Sequence, residues 1–280
     1  MRSKLLILTL ILIYNSSLAE QRGNLGRERL VDMLELPAYS NKKGNEKFVV
    51  KYRHSVSFNP KYRIPNWVAW KQTIQHYEPN YKRLDRFNYD VDVEGCPLYG
   101  DYTNNRKNVQ RGHMCPHQVS SWDENARNSV DYMSNIAPQY YKINQNSGLW
   151  NKLEAKCKKW NNDTFTELYI VCGPILKNGS SDIYGYITFE NGTKPIAIPK
   201  KFFKAILGKD KNGDYYAIAY IINNDDSLKG YYTTVDKVEE LTGYDLFHNL
   251  PDYIENKIEA VVMEYKWTDC SFDGKCPRLW

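Results

Sequence analysis

The chain has 280 residues, 42% of them hydrophobic and 25% charged, which suits one large folded domain or two small ones and excludes a disordered or fibrous protein. Its formal charge is +5, falling to about +3 once Arg2 and Lys4 are removed with the leader described next (36 basic against 33 acidic residues). A balance this mildly basic permits a polyanionic partner without requiring one.

Arg2 and Lys4 precede an apolar run from Leu5 to Tyr14, and Ser17-Leu18-Ala19 follows with small residues. That order predicts a secretory signal peptide over residues 1–19, cleaved after Ala19. No later stretch is apolar for long enough to span a bilayer, so the expectation is a secreted chain, extracellular or, in a bacterium, periplasmic, with no membrane attachment after cleavage. Residues 20–48 are polar, with Gly23, Gly26 and Gly44, and read as a leader; the domain itself is expected over 49–280.

Within the domain, Phe48–Tyr52, Val56–Phe58 and Trp67–Trp70 read as strands. Residues 76–106 are rich in Pro, Gly, Asn and Tyr and read as loop. Asn125–Tyr132 is expected to be a short helix. Asn146–Lys159 is expected to be a second, carrying Leu149, Trp150, Leu153 and Cys157 at helical spacing. Strands follow at Leu168–Cys172, Tyr184–Phe189, Phe202–Leu207 and Tyr215–Ile222, then a helix over Thr234–Thr242 stopped by Gly243. Glu259–Tyr265 fits a late strand or helix. The sum is one α+β domain around a mostly antiparallel sheet.

Six cysteines lie outside the signal, an even count that in a secreted chain reads as disulfides. The favoured pairs are Cys270–Cys276, which would close a local loop, and Cys157–Cys172, with Cys96–Cys115 left over. A zinc site is disfavoured because no Cys-x-x-Cys occurs. A nucleophilic Cys115 is disfavoured because two residues of separation from His117 do not build a nucleophile–base pair. Sequons at Asn162, Asn178 and Asn191 suit surface loops of a secreted glycoprotein. Lys82-Arg83 with Arg86, Arg106-Lys107 with Arg111, Lys158-Lys159, and Lys200-Lys201 with Lys204 are basic clusters. Each is an ordinary solvated face, except the one that leads into Arg111.

The chemistry concentrates between residues 110 and 154: Gln110-Arg111-Gly112-His113, then Ser134-Asn135-Ile136-Ala137-Pro138-Gln139, then Asn144-Gln145, then Trp150-Asn151-Lys152-Leu153-Glu154. A histidine can take a proton from water near neutral pH. An arginine beside it can hold a phosphate. Asn and Glu oxygens suit a hard cation or its waters. Together these are the parts of a phosphodiester hydrolase.

The three blocks, in this order and spacing, resemble the DNA/RNA non-specific endonuclease family, the ββα-metal or His-Me finger nucleases that include endonuclease G. The resemblance spans roughly residues 50 to 265. It implies a ββα-metal finger with His113 at the end of a β-hairpin and the metal-binding Asn on a following helix. It also implies DNA and RNA substrates, little sequence specificity, and products with 5′-phosphates. By the same resemblance His113 is the general base, Asn144 the direct ligand of one divalent cation (Mg²⁺, with Mn²⁺ or another divalent ion as alternatives), and Glu154 the holder of the cation's waters. Asn135 positions the histidine or metal, and Arg111 and Arg86 contact the phosphate, with Arg83 as the rival of Arg86. Two departures stand out. Gln110 replaces the family's Asp, and ten residues separate Asn144 from Glu154 where eight are expected, which leaves Asn146 as the alternative ligand. Gln110 also supports a competing reading, a catalytically weakened nucleic-acid-binding protein on the same scaffold.

Overall fold

In a computed structural model of the chain, the described residues are 33–38, 46–84, 86–103, 108–188 and 194–272. The signal segment 1–19, the sequon at Asn191, Arg106-Lys107 and Cys276, and with it the Cys270–Cys276 pairing, lie outside them. The chain divides into the units Met1–Met33 and Leu34–Trp280. Within the polar stretch 20–48, Leu34 and Leu36 are buried and the Ala38 amide donates to the Asp245 carbonyl.

Eleven strands are described: β1 (Lys47–Val50), β2 (Ser55–Asn59), β3 (Ile64–Gln72), β4 (Val109–His113), β5 (Ile136–Tyr140), β6 (Phe165–Pro174), β7 (Ile183–Ile187), β8 (Ile196–Pro199), β9 (Lys201–Asp210), β10 (Tyr215–Asn223) and β11 (Gly230–Thr233). Seven of them make one antiparallel sheet in the order β1-β2-β3-β6-β9-β10-β11, and β4-β5 and β7-β8 form two separate ribbons. The central strands are buried nearly throughout, from Phe165 to Cys172 and from Phe202 to Leu207. Both faces of the sheet are therefore covered, and the sequence there reads as continuous apolar runs rather than alternation. This is the α+β class with a mostly antiparallel sheet that the sequence predicts.

Among the described residues, five α-helices accompany the sheet: α1 (Glu124–Val130), α2 (Tyr141–Asn144), α3 (Leu149–Asp163), α4 (Val235–Thr242) and α5 (Asp252–Glu259). The Asp123 carboxylate caps α1 by accepting from the Ala126 amide at 2.9 Å. Thr234 caps α4 the same way, and Gly243, at φ 75°, ends it. The helix expected from Asn146 begins three residues later. Residues 145–148 form a corner, and a β-carbon on Gly148 would lie 2.2 Å from the Ile143 carbonyl oxygen, so only glycine lets α2 fold back against α3. The late element expected at Glu259–Tyr265 is α5 ending at Glu259, followed by one 3₁₀ turn at Glu264–Lys266.

Two expectations about side chains are corrected. Cys96, Cys157 and Cys172 are free thiols, so neither the Cys157–Cys172 nor the Cys96–Cys115 bridge is formed. Chain spacing says that two cysteines can approach; a bridge also requires β-carbons about 3.5–4.5 Å apart, which spacing does not specify. All three are buried, and burial pushes the thiols of Cys96 and Cys157 up to about 12 and that of Cys172 higher still. Lys204, counted above with a surface cluster, is only 1% exposed. It points inward from β9, its ammonium 4.1 Å from the Trp150 ring and 5.6 Å from that of Trp70. Inert buried thiols predict a specific labelling pattern. Iodoacetamide will label Cys96, Cys157 and Cys172 in unfolded, unreduced protein and leave them unmodified in native protein. Mass mapping of the alkylated peptides reads this out.

Candidate active site

The ribbon β4-β5 carries the site. Its register places Gln110 opposite Gln139, Gly112 opposite Ala137 and His113 opposite Ile136. A β-carbon on Gly112 would lie 2.0 Å from Gln139 Oε1, so the Arg-Gly-His sequence needs glycine for the two strands to close. Residues 114–135 connect the end of β4 at His113 to the start of β5 at Ile136, and the side-chain amide of Asn135 organises that connection. Its Oδ1 accepts from the Cys115 N–H at 2.8 Å, and its Nδ2 donates to the carbonyls of Cys115 at 2.9 Å and Val130 at 2.8 Å. Asn135 therefore fixes the backbone two residues past His113 rather than touching the imidazole. From the other side, the Trp150 indole N–H on α3 donates to the His113 carbonyl at 3.1 Å.

A second segment packs on the ribbon. The Asn88 amide donates to the Asp131 carbonyl and the Met133 amide to the Asn88 carbonyl, both at 2.9 Å. Asp90, fully buried, accepts from Lys51 Nζ and Ser134 Oγ, each at 2.5 Å. This pairing brings Phe87 against His113, ring centroids 5.2 Å apart, and Tyr99 stacks on the far side of Phe87 at 5.9 Å. The Arg111 guanidinium lies 4.3 Å from the Tyr99 ring centre and 5.0 Å from that of Phe87. These cation–π contacts hold the guanidinium in place, and its N–H groups are of the kind that bind a planar or tetrahedral anion.

His113 does not stand alone. Its Nε2 lies 3.5 Å from Asp131 Oδ1, and His117 Nε2 meets the same oxygen at 2.5 Å, the two rings edge to face at 5.0 Å. Burial draws the His113 imidazole from 6.5 down to about 4; contact with Asp131 opposes that shift, and the charges of His117 and Arg83 reinforce it. Burial alone would raise Asp131, but hydrogen bonding to His113 and His117 holds it below the usual carboxylate range. The arrangement is thus a neutral imidazole beside an ionised carboxylate at neutral pH. No sequence motif singles out His117 or Asp131. Four residues separate His113 from His117, but β4 ends between them, so no periodicity marks the pair.

The two cation-ligand candidates occupy different positions. Asn144 is the last residue of α2, half-buried, and its Nδ2 donates to Gln110 Oε1 at 3.1 Å. That bond takes the amide nitrogen and leaves Oδ1, an oxygen of the kind a hard cation takes, so the residues fit a divalent ion with one protein ligand. Asn146 is exposed in the corner between helices. Because Asn144 and Glu154 sit on different helices, helical projection from one to the other has no meaning here. Glu154 is found beside Lys204, lining a cavity with Trp70, Gln72, Tyr77 and Gln118. Burial raises its carboxyl to about 7 against the pull of Lys204 and Trp150. Arg86 is exposed and bonded to Asn128 Oδ1 at 3.1 Å, whereas Arg83 is the arginine whose charge acts on His113.

Comparison with known proteins agrees with this geometry. Residues 34–253 match the model of the DNA/RNA non-specific endonuclease family. The chain belongs to that family. It is 30% identical over 231 residues to a nuclease of Nostoc sp., covering 76% of this chain and 78% of that protein. It is 25% identical over 221 residues to the human mitochondrial endonuclease G, covering 74% and 70%. A crystal structure of EndoG in complex with EndoGI superposes with a TM-score of 0.64 over 82% of this chain and 94% of that one, at 20% identity. The family is one of divalent-metal-dependent nucleases, and the fold is that of EndoG, a ββα-metal nuclease.

The contact between Gln110 and Asn144 makes a prediction. Gln110→Ala frees the Asn144 amide to rotate while leaving the core untouched. Cleavage will need several-fold more divalent cation for half-maximal rate, with the Tm nearly unchanged. A cation titration of the cleavage rate with parallel thermal melts checks this.

Proposed function

We propose that the protein is a secreted, divalent-cation-dependent endonuclease that hydrolyses DNA and RNA with little sequence preference and leaves 5′-phosphates. The observation that carries the reading is the His113 imidazole held between Asp131 and the Phe87 ring, with Arg111 over that ring and the Tyr99 ring, on the ribbon of a family nuclease. Secretion rests on the N-terminal sequence alone.

In this reading Asp131 holds the proton on His113 Nε2, which leaves Nδ1 as the nitrogen that accepts a proton from the attacking water. The Phe87 ring and the backbone clasp of Asn135 restrict the imidazole and its strand to one orientation, the positioning on which general-base efficiency depends. Arg111 presents its guanidinium edge to a phosphate oxygen. Arg83 or Arg86 reaches a neighbouring phosphate, contacts that hold the backbone without reading bases. Asn144 Oδ1 holds the cation, Mg²⁺ in this reading, which when bound neutralises charge on the phosphate and the leaving 3′ oxygen. Glu154 acts from α3, whose Trp150 fixes the His113 carbonyl. Gln110 retains the hydrogen-bonding duty toward Asn144 and lacks only the charge of the family's Asp. It therefore favours an active enzyme over a protein that binds nucleic acid without cleaving it.

Two variants separate the roles. His113→Ala will keep nucleic-acid and cation binding and lose roughly 10² to 10⁴ in turnover, the size of a general-base contribution. Asn144→Ala will lose turnover together with cation dependence. Plasmid and RNA cleavage across a cation titration, with end-labelling of the products before and after phosphatase treatment, measures both. Near-normal turnover of His113→Ala, or wild-type cleavage in EDTA, contradicts the assignment.

A further inference from the structure

A second set of acidic side chains lies on elements that carry none of the residues above. Asp236 and Glu239 project from one face of α4, three residues apart, and Glu259 is the last residue of α5. One carboxylate oxygen from each lies within 4.8 Å of the others. Exposure falls across the set. Asp236 is exposed, Glu239 is half-buried, and Glu259 is only 4% exposed, so the group runs from solvent inward.

The buried end is what distinguishes this set from an ordinary acidic surface. Glu259 Oε1 is shielded from solvent and has no hydrogen-bond partner among the described residues. The charges acting on Glu259 are those of Glu239, Glu255, Asp236 and Asp245, all carboxylates. A carboxylate oxygen buried among like charges and without a donor is strongly unfavourable, and it is relieved by a proton or by a cation. Glu239 is already oriented, because its Oε1 accepts from the Leu246 amide at 2.6 Å.

We propose that Asp236, Glu239 and Glu259 form a structural site for a hard divalent cation of the Ca²⁺ type, joining α4 to α5. All the donors are oxygens. Oxygens bound to one Ca²⁺ at about 2.4 Å can stand up to about 4.8 Å apart, whereas Mg²⁺ with its shorter bonds demands a tighter cage. The site completes its shell with water on the exposed Asp236 side. Glu259 lies beyond the stretch 34–253 that matches the family model, whereas Asp236 and Glu239 lie within it. The role of the site is to fasten α5 against α4, and it does not depend on the reading of His113.

The test uses the full mature chain, stripped with EDTA and dialysed, melted at pH 7.5 with and without millimolar CaCl₂. Ca²⁺ will raise the Tm by several degrees in the wild type and equally in Asn144→Ala, whose substrate-site ligand is gone. Glu259→Gln will melt higher than the wild type without Ca²⁺ and will not respond to Ca²⁺. Asp236→Asn, exposed and unable to disturb the core, will respond only to Ca²⁺ several-fold more concentrated. Both will cleave plasmid in Mg²⁺ at the wild-type rate. Should Glu259→Gln not fold, Asp236→Asn decides. An unchanged wild-type Tm in Ca²⁺, a response lost in Asn144→Ala, or variants that respond as the wild type does would each overturn the proposal. The last two would place the bound ion elsewhere, and the first would leave the Glu259 carboxyl neutralised by a proton alone.

Discussion

The buried amide of Asn135 is the constraint on which the candidate site depends. It is fully buried, and one oxygen and two N–H groups meet three backbone partners that come from the loop after His113 and from the end of α1. No other residue type of that size offers an acceptor and two donors in this geometry. Replacing it by an apolar residue would strand the Cys115 amide and two carbonyls, each at about 1–3 kcal/mol. The loop so fixed carries His117, and the end of α1 leads directly into Asp131. One hydrogen-bonding group thus sets the positions of two of the three side chains that determine the state of His113.

The electrostatics follow from that placement. His113 is drawn down to about 4 mainly by burial, with Arg83 and the neighbouring His117 adding to the effect, and Asp131 only partly offsets it. A base that is neutral across the physiological range is competent without prior deprotonation. Arg111, stacked on Tyr99 and Phe87, supplies positive charge at the mouth of the site while its rings shield the imidazole. The aromatic layer therefore both desolvates the base and aims the phosphate-binding group.

Much of this was legible in the sequence, and the part that was not has physical reasons. The long central strands and α4 with its Gly243 stop were readable because local pattern and tertiary role agree there. His113, Arg111, Asn135 and Asn144 are singled out because three motif blocks stand in fixed order, and the structure places the first two on β4, Asn135 beside it and Asn144 against Gln110. The pairing of β4 with β5 carried no strand pattern of its own: Gln110, Gly112 and Pro138 are poor strand formers, and the ribbon is held by packing and by the Asn135 clasp. His117 and Asp131 converge on His113 only through the turn after β4 and the segment at Asn88. The break at Gly148 was hidden inside the run from Asn146 to Lys159 that reads as helical, and it separates α2, which carries Asn144, from α3, which carries Glu154. The expected bridges of Cys96, Cys157 and Cys172 were misjudged because sequence spacing holds no information on β-carbon distance. Lys204 was misjudged because a lysine in a buried strand is rare, and here two indole faces and Glu154 receive it.

The central claim is that His113 is a neutral base at the pH where the enzyme works. The direct measurement is an NMR titration of the histidine ring signals in wild-type protein without added cation, with His113 assigned by comparison with His113→Ala. The account predicts that His113 stays neutral down to about pH 5 and protonates near 4, well below the ordinary 6.5. A His113 that protonates at or above 6.5 would contradict it.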